Sequence, residues 1–129
     1  MNALFVYGLL KPGFRLHHVA APYVKHSAPA KVRGRLYDAG RGEAGAAQGL
    51  PAARFGEDGD IEGVVLWLDV GRVDEALRVL DELEDEGVEY RRVVVDAVTD
   101  DERVPAYAYE YVLPVDGRRR VGASWPGVV

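Results

Sequence analysis

The chain is predicted to be an α+β protein with a mixed, largely antiparallel, barrel-like sheet of five to six strands and two or more helices. Three observations predict it. Several short runs rich in β-branched and aromatic residues are spread unevenly along the sequence. Helical periodicity is strong in one place only, over Arg72–Glu86. Fifteen glycines and seven prolines in 129 residues make turns frequent and regular elements short.

Taken in order, Ala3–Tyr7 is a near-continuous apolar run that stops at Gly8, which reads as a buried strand. Pro12 and Gly13 mark a loop, and Phe14–Val24 is expected to hold a short helix ending near Pro22. Ala30–Tyr37 alternates as a strand, with Val32, Gly34 and Leu36 on one face. The Gly/Ala-rich segment Ala39–Gly49 reads as a surface loop, Gly49–Phe55 as a short extended piece, and Ile61–Val70 as a buried strand containing Trp67. Arg72–Glu86 is the helix: Val73, Ala76, Leu77, Leu80 and Leu83 recur at three- and four-residue spacing, and Gly87 lies beyond its end. Tyr90–Val98 and Val104–Leu113 read as two further strands paired through the Thr99–Arg103 turn. From Pro114 on, the tail shows no period.

The length fits one domain over residues 1–129. Sixteen Lys and Arg against 21 Asp and Glu leave a net charge of −5, which argues against a nucleic-acid partner. The longest apolar run is far below the roughly 20 residues of a membrane span, and no basic stretch precedes the N-terminal strand, so no membrane partner and a cytoplasmic location are expected. Without cysteine there is no disulfide, thiolate nucleophile or cysteine-ligated metal. Ser27, Ser124 and Thr99 lie in no nucleophile motif. His17 and His18 are adjacent and so diverge on a helix, and His26 stands alone. No metal site and no cofactor are expected, and a small molecule is the expected partner.

Two places break the pattern. At 100° per residue Glu84 points from the centre of the apolar stripe, seven residues after Leu77 and four after Leu80. A carboxylate aimed at a core is costly unless paired or neutral, and in the last helical turn the dipole disfavours it further. Both effects raise its pKa toward the working range of a proton carrier. The alternative is that the helix frays and Glu84 turns to solvent, or pairs with Arg91 or Arg92. The second place is the loop Tyr7-Gly8-Leu9-Leu10, where successive N–H groups after a strand can form an anion nest; a plain tight turn is the alternative. Lys11, Arg15, Arg33 and Arg35 either line an anion-attracting mouth or form a solvated face. The Arg118–Arg120 cluster reads as solvated. The tyrosines are read as core, with a hydroxyl near Glu84 as the alternative for some.

These motifs together resemble the gamma-glutamylcyclotransferase-like superfamily, which includes the AIG2-like proteins and gamma-glutamylamine cyclotransferases. Leu4-Phe-Val-Tyr-Gly-Leu-Leu-Lys-Pro-Gly resembles its Tyr-Gly-Ser-Leu-type loop, and Val32-Arg-Gly-Arg-Leu-Tyr-Asp its second strand. Gly49-Leu-Pro-Ala is similar to its Tyr-Pro-Ala signature, and Glu62-Gly-Val-Val-Leu-Trp-Leu-Asp to its central strand. Leu80-Asp-Glu-Leu-Glu-Asp-Glu-Gly-Val-Glu-Tyr-Arg-Arg resembles its Leu-Asp-x-x-Glu-Gly…Tyr-x-Arg block, and Ala106-Tyr-Ala-Tyr-Glu-Tyr its final strand. The resemblance implies Glu84 as the catalytic acid/base, and Tyr7, Gly8, Leu9, Leu10 and Tyr109 as substrate-binding residues. It implies release of 5-oxoproline and a free amine from a γ-glutamyl amide. Leu9 stands where Ser or Thr is usual, which removes a side-chain donor and leaves the backbone amides. Asp85 stands where Gly is common. A small-molecule binder on the same fold, non-catalytic or of different specificity, is the alternative these departures raise.

Overall fold

The computed structural model describes residues 1–40 and 50–125. Most of the expected Ala39–Gly49 loop, Gly49 at the head of the expected extended piece, and tail residues 126–129 lie outside the described residues. The elements are β1 (Ala3–Val6), α1 (His17–Ala20), β2 (Val24–Asp38), β3 (Pro51–Leu68), α2 (Val73–Leu83), β4 (Tyr90–Val98), β5 (Arg103–Tyr111) and β6 (Arg119–Arg120). The strands lie in the order β3-β1-β5-β4-β2-β6, and β2 also pairs with β3. β1 to β5 therefore close into a barrel, with β6 added on β2. The β1–β5 pairing is parallel and the others antiparallel, so the sheet is mixed.

Closure explains the unbroken apolar run of β1, because both faces of the strand are covered. Phe5 and Tyr7 point into the barrel with Val32, Leu36, Ile61, Val65 and Ala106. Leu4 and Val6 face the other way, into a second layer with Ala76 and Leu80 of α2 and Tyr109 and Tyr111 of β5. The side chain of Leu80 is fully buried there, contributing about 1.5–3 kcal/mol. Asp69 starts this helix region by accepting from the Gly71 N–H at 3.0 Å, and Asp74 and Glu75 in the first turn of α2 suit the dipole.

Four boundaries differ from the sequence expectation. β2 begins at Val24, six residues early, because its first half pairs with β3 from Leu68 inward. The expected segments Gly49–Phe55 and Ile61–Val70 are one strand, β3. Gly56-Glu-Asp-Gly59, between the two expected segments, forms a bulge within it, where Gly34 pairs with Phe55 while Arg33 pairs with Asp60. Gly56 and Gly59 take φ of 83° and 116°, and Arg33 reaches Asp58 at 2.8 Å across the bulge. The helix expected over Phe14–Val24 is confined to His17–Ala20, followed by a 3-10 turn at Ala21–Tyr23 that holds Pro22. Finally, α2 stops at Leu83 rather than Glu86, since Asp85 at φ 53° and Gly87 at φ 90° turn the chain left-handed. Trp67 is half-buried, packed against the barrel core and stacked on His26 with ring centroids 4.5 Å apart.

Candidate functional site

The chain end of α2 decides where Glu84 sits. Its N–H still bonds the Leu80 carbonyl at 2.9 Å, so Glu84 caps the helix instead of continuing it. Asp85 then reverses the chain: its carbonyl accepts from Val88 at 3.0 Å and from Glu89 at 3.1 Å, and Gly87 donates to Tyr90 at 2.7 Å. This compact turn folds Glu89 back beside Glu84 and leads into β4. Asp85 holds a left-handed conformation that costs an L-residue about 1–2 kcal/mol. Asp85→Gly should leave stability unchanged or raise it by up to about 1 kcal/mol, and Asp85→Val should lower it by about 1–2 kcal/mol, as read by denaturant unfolding.

The Tyr7–Leu10 loop faces Glu84 from the end of β1. All three of its following carbonyls are tied inward: Gly8 accepts from Lys11 N–H at 3.1 Å, Leu9 from Leu16 N–H at 3.0 Å, and Leu10 from His17 Nδ1 at 2.8 Å. The amides of Gly8, Leu9 and Leu10 donate to no protein acceptor among the described residues. Gly8 and Leu10 are buried, so these are donors in need of a partner. Gly8 owes its place to packing: a Cβ there would stand 2.6 Å from Pro51 Cγ.

Glu84 and the Tyr7–Leu10 loop line one cleft of ≈ 160 Å³, with Tyr109 in its wall. Glu84 is half-buried and makes no ion pair among the described residues; Arg91 goes to Glu110 at 3.9 Å and Arg92 to Asp81 at 3.4 Å. Burial in the cleft, helped by the charge of Glu89, pushes the Glu84 carboxyl up to about 7. The second cause is thus a neighbouring carboxylate on the turn, where the sequence reading invoked the helix dipole.

The tyrosines brace this cleft with hydroxyls already in use. Tyr7 donates to the Tyr109 carbonyl at 2.6 Å, Tyr90 to the Pro51 carbonyl at 2.6 Å, and Tyr109 to Asp81 Oδ1 at 2.7 Å. Burial raises the pKa of all three, the Asp81 bond adding to the rise at Tyr109. Tyr109 therefore offers its ring to the cleft and its hydroxyl to α2. Tyr90, Glu89 and Pro51 line the cleft but were not singled out from the sequence as site residues. Among the four basic residues weighed for the mouth, only Arg15 lines it. Arg33 and Arg35 are engaged with Asp58. Lys11 is neither mouth nor solvated face. It is buried, donates to the Trp125 carbonyl and lies 4.4 Å from the Phe14 ring centre, and burial lowers its pKa. In the tail, Arg119 pairs with Asp38 at 3.0 Å.

No group of three metal-ligating side chains is found among the described residues. No helix among them is long and apolar enough to cross a membrane.

Comparison with known proteins places this geometry. YkqA from Bacillus subtilis has the same fold at 23% identity and a TM-score of 0.69, over 96% of this chain and 39% of its own. The present chain thus spans about two fifths of YkqA. An AIG2-like protein from Mus musculus matches at 21% identity and a TM-score of 0.73, over 97% of this chain and 88% of its own. A protein from Arabidopsis thaliana matches at 27% identity and a TM-score of 0.60, over 86% and 62%. No match is found among curated protein sequences. The family model described as gamma-glutamyl cyclotransferase, AIG2-like, matches residues 4–126. A match over nearly the whole length, on a barrel that those structures share, means that the chain belongs to the gamma-glutamyl cyclotransferase, AIG2-like family.

Proposed function

We propose that the protein is a cyclotransferase that releases 5-oxoproline and a free amine from a γ-glutamyl amide. The observation that carries this reading is the pairing, across one cleft, of a carboxyl pushed up to about 7 with three consecutive amides, the carboxyl without an ion pair and the amides without an acceptor among the described residues. The amides of Gly8, Leu9 and Leu10 hold the α-carboxylate of the substrate or the oxyanion that develops at its γ-carbonyl. Glu84 takes a proton from the α-ammonium. The freed amine attacks the γ-carbonyl carbon, a C–N bond closes the five-membered lactam, and the tetrahedral intermediate expels the original amine as its C–N bond breaks. Glu84 hands its proton to that leaving nitrogen, and the second proton that the ring nitrogen sheds on becoming an amide goes to the released amine, which departs as an ammonium, so the carboxylate is regenerated. The nucleophile belongs to the substrate, which fits a chain with no cysteine and only two serines and one threonine. We further read the chain as one domain acting on a small molecule.

Soaking crystals with 5-oxoproline tests the site. The ligand carboxylate is expected within hydrogen-bonding distance of the Gly8–Leu10 amides, with the ring beside Glu84. Binding at Arg118–Arg120 instead, with those amides turned into protein bonds, would remove the site assignment. Binding at the amides without any turnover would favour a binding protein, the reading that Leu9 in place of a hydroxyl residue supports.

A further inference from the structure

A second cavity, of ≈ 560 Å³, shares no lining residue with the cleft and lies where β2, β3 and the turn between β4 and β5 meet. Lys11 is part of its wall and is only 8% exposed. An ammonium carries three donors, and Lys11 uses one of them on the Trp125 carbonyl. Burial works against its charge, and Glu62, also in the wall, is the carboxylate that offsets this. Neither Lys11 nor Glu62 makes an ion pair among the described residues, so no salt bridge closes the space between them. Asp100 and Lys31 complete an exposed charged rim. Lys31 lies in register with Glu62 on one side and with Val98 on the other. The Thr99 hydroxyl holds the turn that carries Asp100, accepting from the Asp101 and Glu102 N–H groups at 3.2 and 3.1 Å. Val64 and Val98 supply apolar wall, Val98 being 43% exposed. A carboxylate on the Lys11 ammonium, an ammonium against Glu62 and Asp100, and a short apolar group on the valines each meet their complement here. Lys11 also pins the amide loop. Its N–H bonds the Gly8 carbonyl at 3.1 Å, and in a planar trans peptide this points the Leu9 N–H the opposite way.

We infer that this cavity is a second ligand site, that it takes a small aliphatic α-amino acid as the zwitterion, and that its occupant steadies, through Lys11, the loop carrying the Gly8–Leu10 amides. The site is defined by binding and stands without the cyclotransferase reading.

L-Alanine, propionate and L-alaninamide test it, because the last two each lack one of the charges. In titrations followed by NMR of the backbone amides, alanine is expected to shift Gly63, Val98 and Asp100 together with Leu9. It is expected to bind about tenfold tighter than either analogue. Glu62→Gln combined with Asp100→Asn alters only the exposed rim and should bring alanine and propionate within about threefold. Lys11→Met should do the same for alanine and alaninamide; if that variant does not fold, the rim variant and the two analogues decide alone. No saturable shift at the cavity, equal affinity for all three ligands, or shifts at Glu84 and Arg15 in place of those at the cavity overturn the site. Shifts at the cavity that leave Leu9 unmoved overturn its hold on the loop. Turnover of γ-glutamyl amides is measured separately, so either failure leaves the proposed reaction standing.

Discussion

Glu84→Gln is expected to cut 5-oxoproline release by about 10²-fold or more while the fold persists. The amide fills the volume of the carboxyl and keeps its place at the end of α2, but it cannot carry a proton from the α-ammonium to the leaving amine. The same variant should be more stable than the wild type above neutral pH. The Glu84 carboxyl in the folded protein is pushed up to about 7 from an ordinary value of 4.5. The folded state thus binds a proton that the unfolded state has already lost between those values. Stability therefore falls as pH rises through this window, and above it the buried charge costs up to about 3 kcal/mol. Unfolding curves of the two proteins should converge near pH 4 and separate by pH 8, with the variant the more stable. A variant that keeps turnover, or one that gains no stability at high pH, argues against the role and the environment respectively.

Gly8→Ala should be nearly as damaging, for a different reason. The added Cβ would lie 2.6 Å from Pro51 Cγ and 3.0 Å from Pro51 Cβ. Pro51 cannot yield easily, because its ring is rigid, it opens β3, and its carbonyl is held by the buried Tyr90 hydroxyl. The loop must move instead. A cost of about 1–3 kcal/mol in stability is expected from overpacking. A displacement of the three amides by even about 1 Å should lower kcat/KM by roughly 10²-fold. Measuring both quantities separates them: a folded variant with normal activity would show that the amides do not hold substrate.

How much of this was legible in the sequence depended on whether the cause was local. β1, β4 and β5 were marked by apolar and β-branched runs ending in turn residues, and their bounds fall within two residues of the expectation. The apolar stripe of α2 also placed Glu84 on the buried side, since three- and four-residue spacing is a property of the helix alone. The end of that helix was missed because Asp85, an ordinary residue in sequence, takes a left-handed conformation that glycine usually supplies. With the helix end went the approach of Glu89. The long β3 was missed because Gly56-Glu-Asp-Gly59 carries every sign of a turn, and only pairing with β2 makes it a bulge. Lys11 looked solvated because its acceptor, the Trp125 carbonyl, is 114 residues away. Tyr90 was one tyrosine among several until the Pro51 carbonyl, 39 residues distant, fixed it in the cleft wall.

The central claim is that Glu84 drives cyclisation of a γ-glutamyl amide, and the direct test is 5-oxoproline release from a panel of γ-glutamyl amines, γ-glutamyl dipeptides and glutathione, followed against pH. Stoichiometric 5-oxoproline and free amine are expected from at least one γ-glutamyl amide, with kcat/KM rising through about pH 7 as the Glu84 carboxyl ionises. Release of glutamate in place of 5-oxoproline, or no product from any member of the panel with a folded protein, would contradict it.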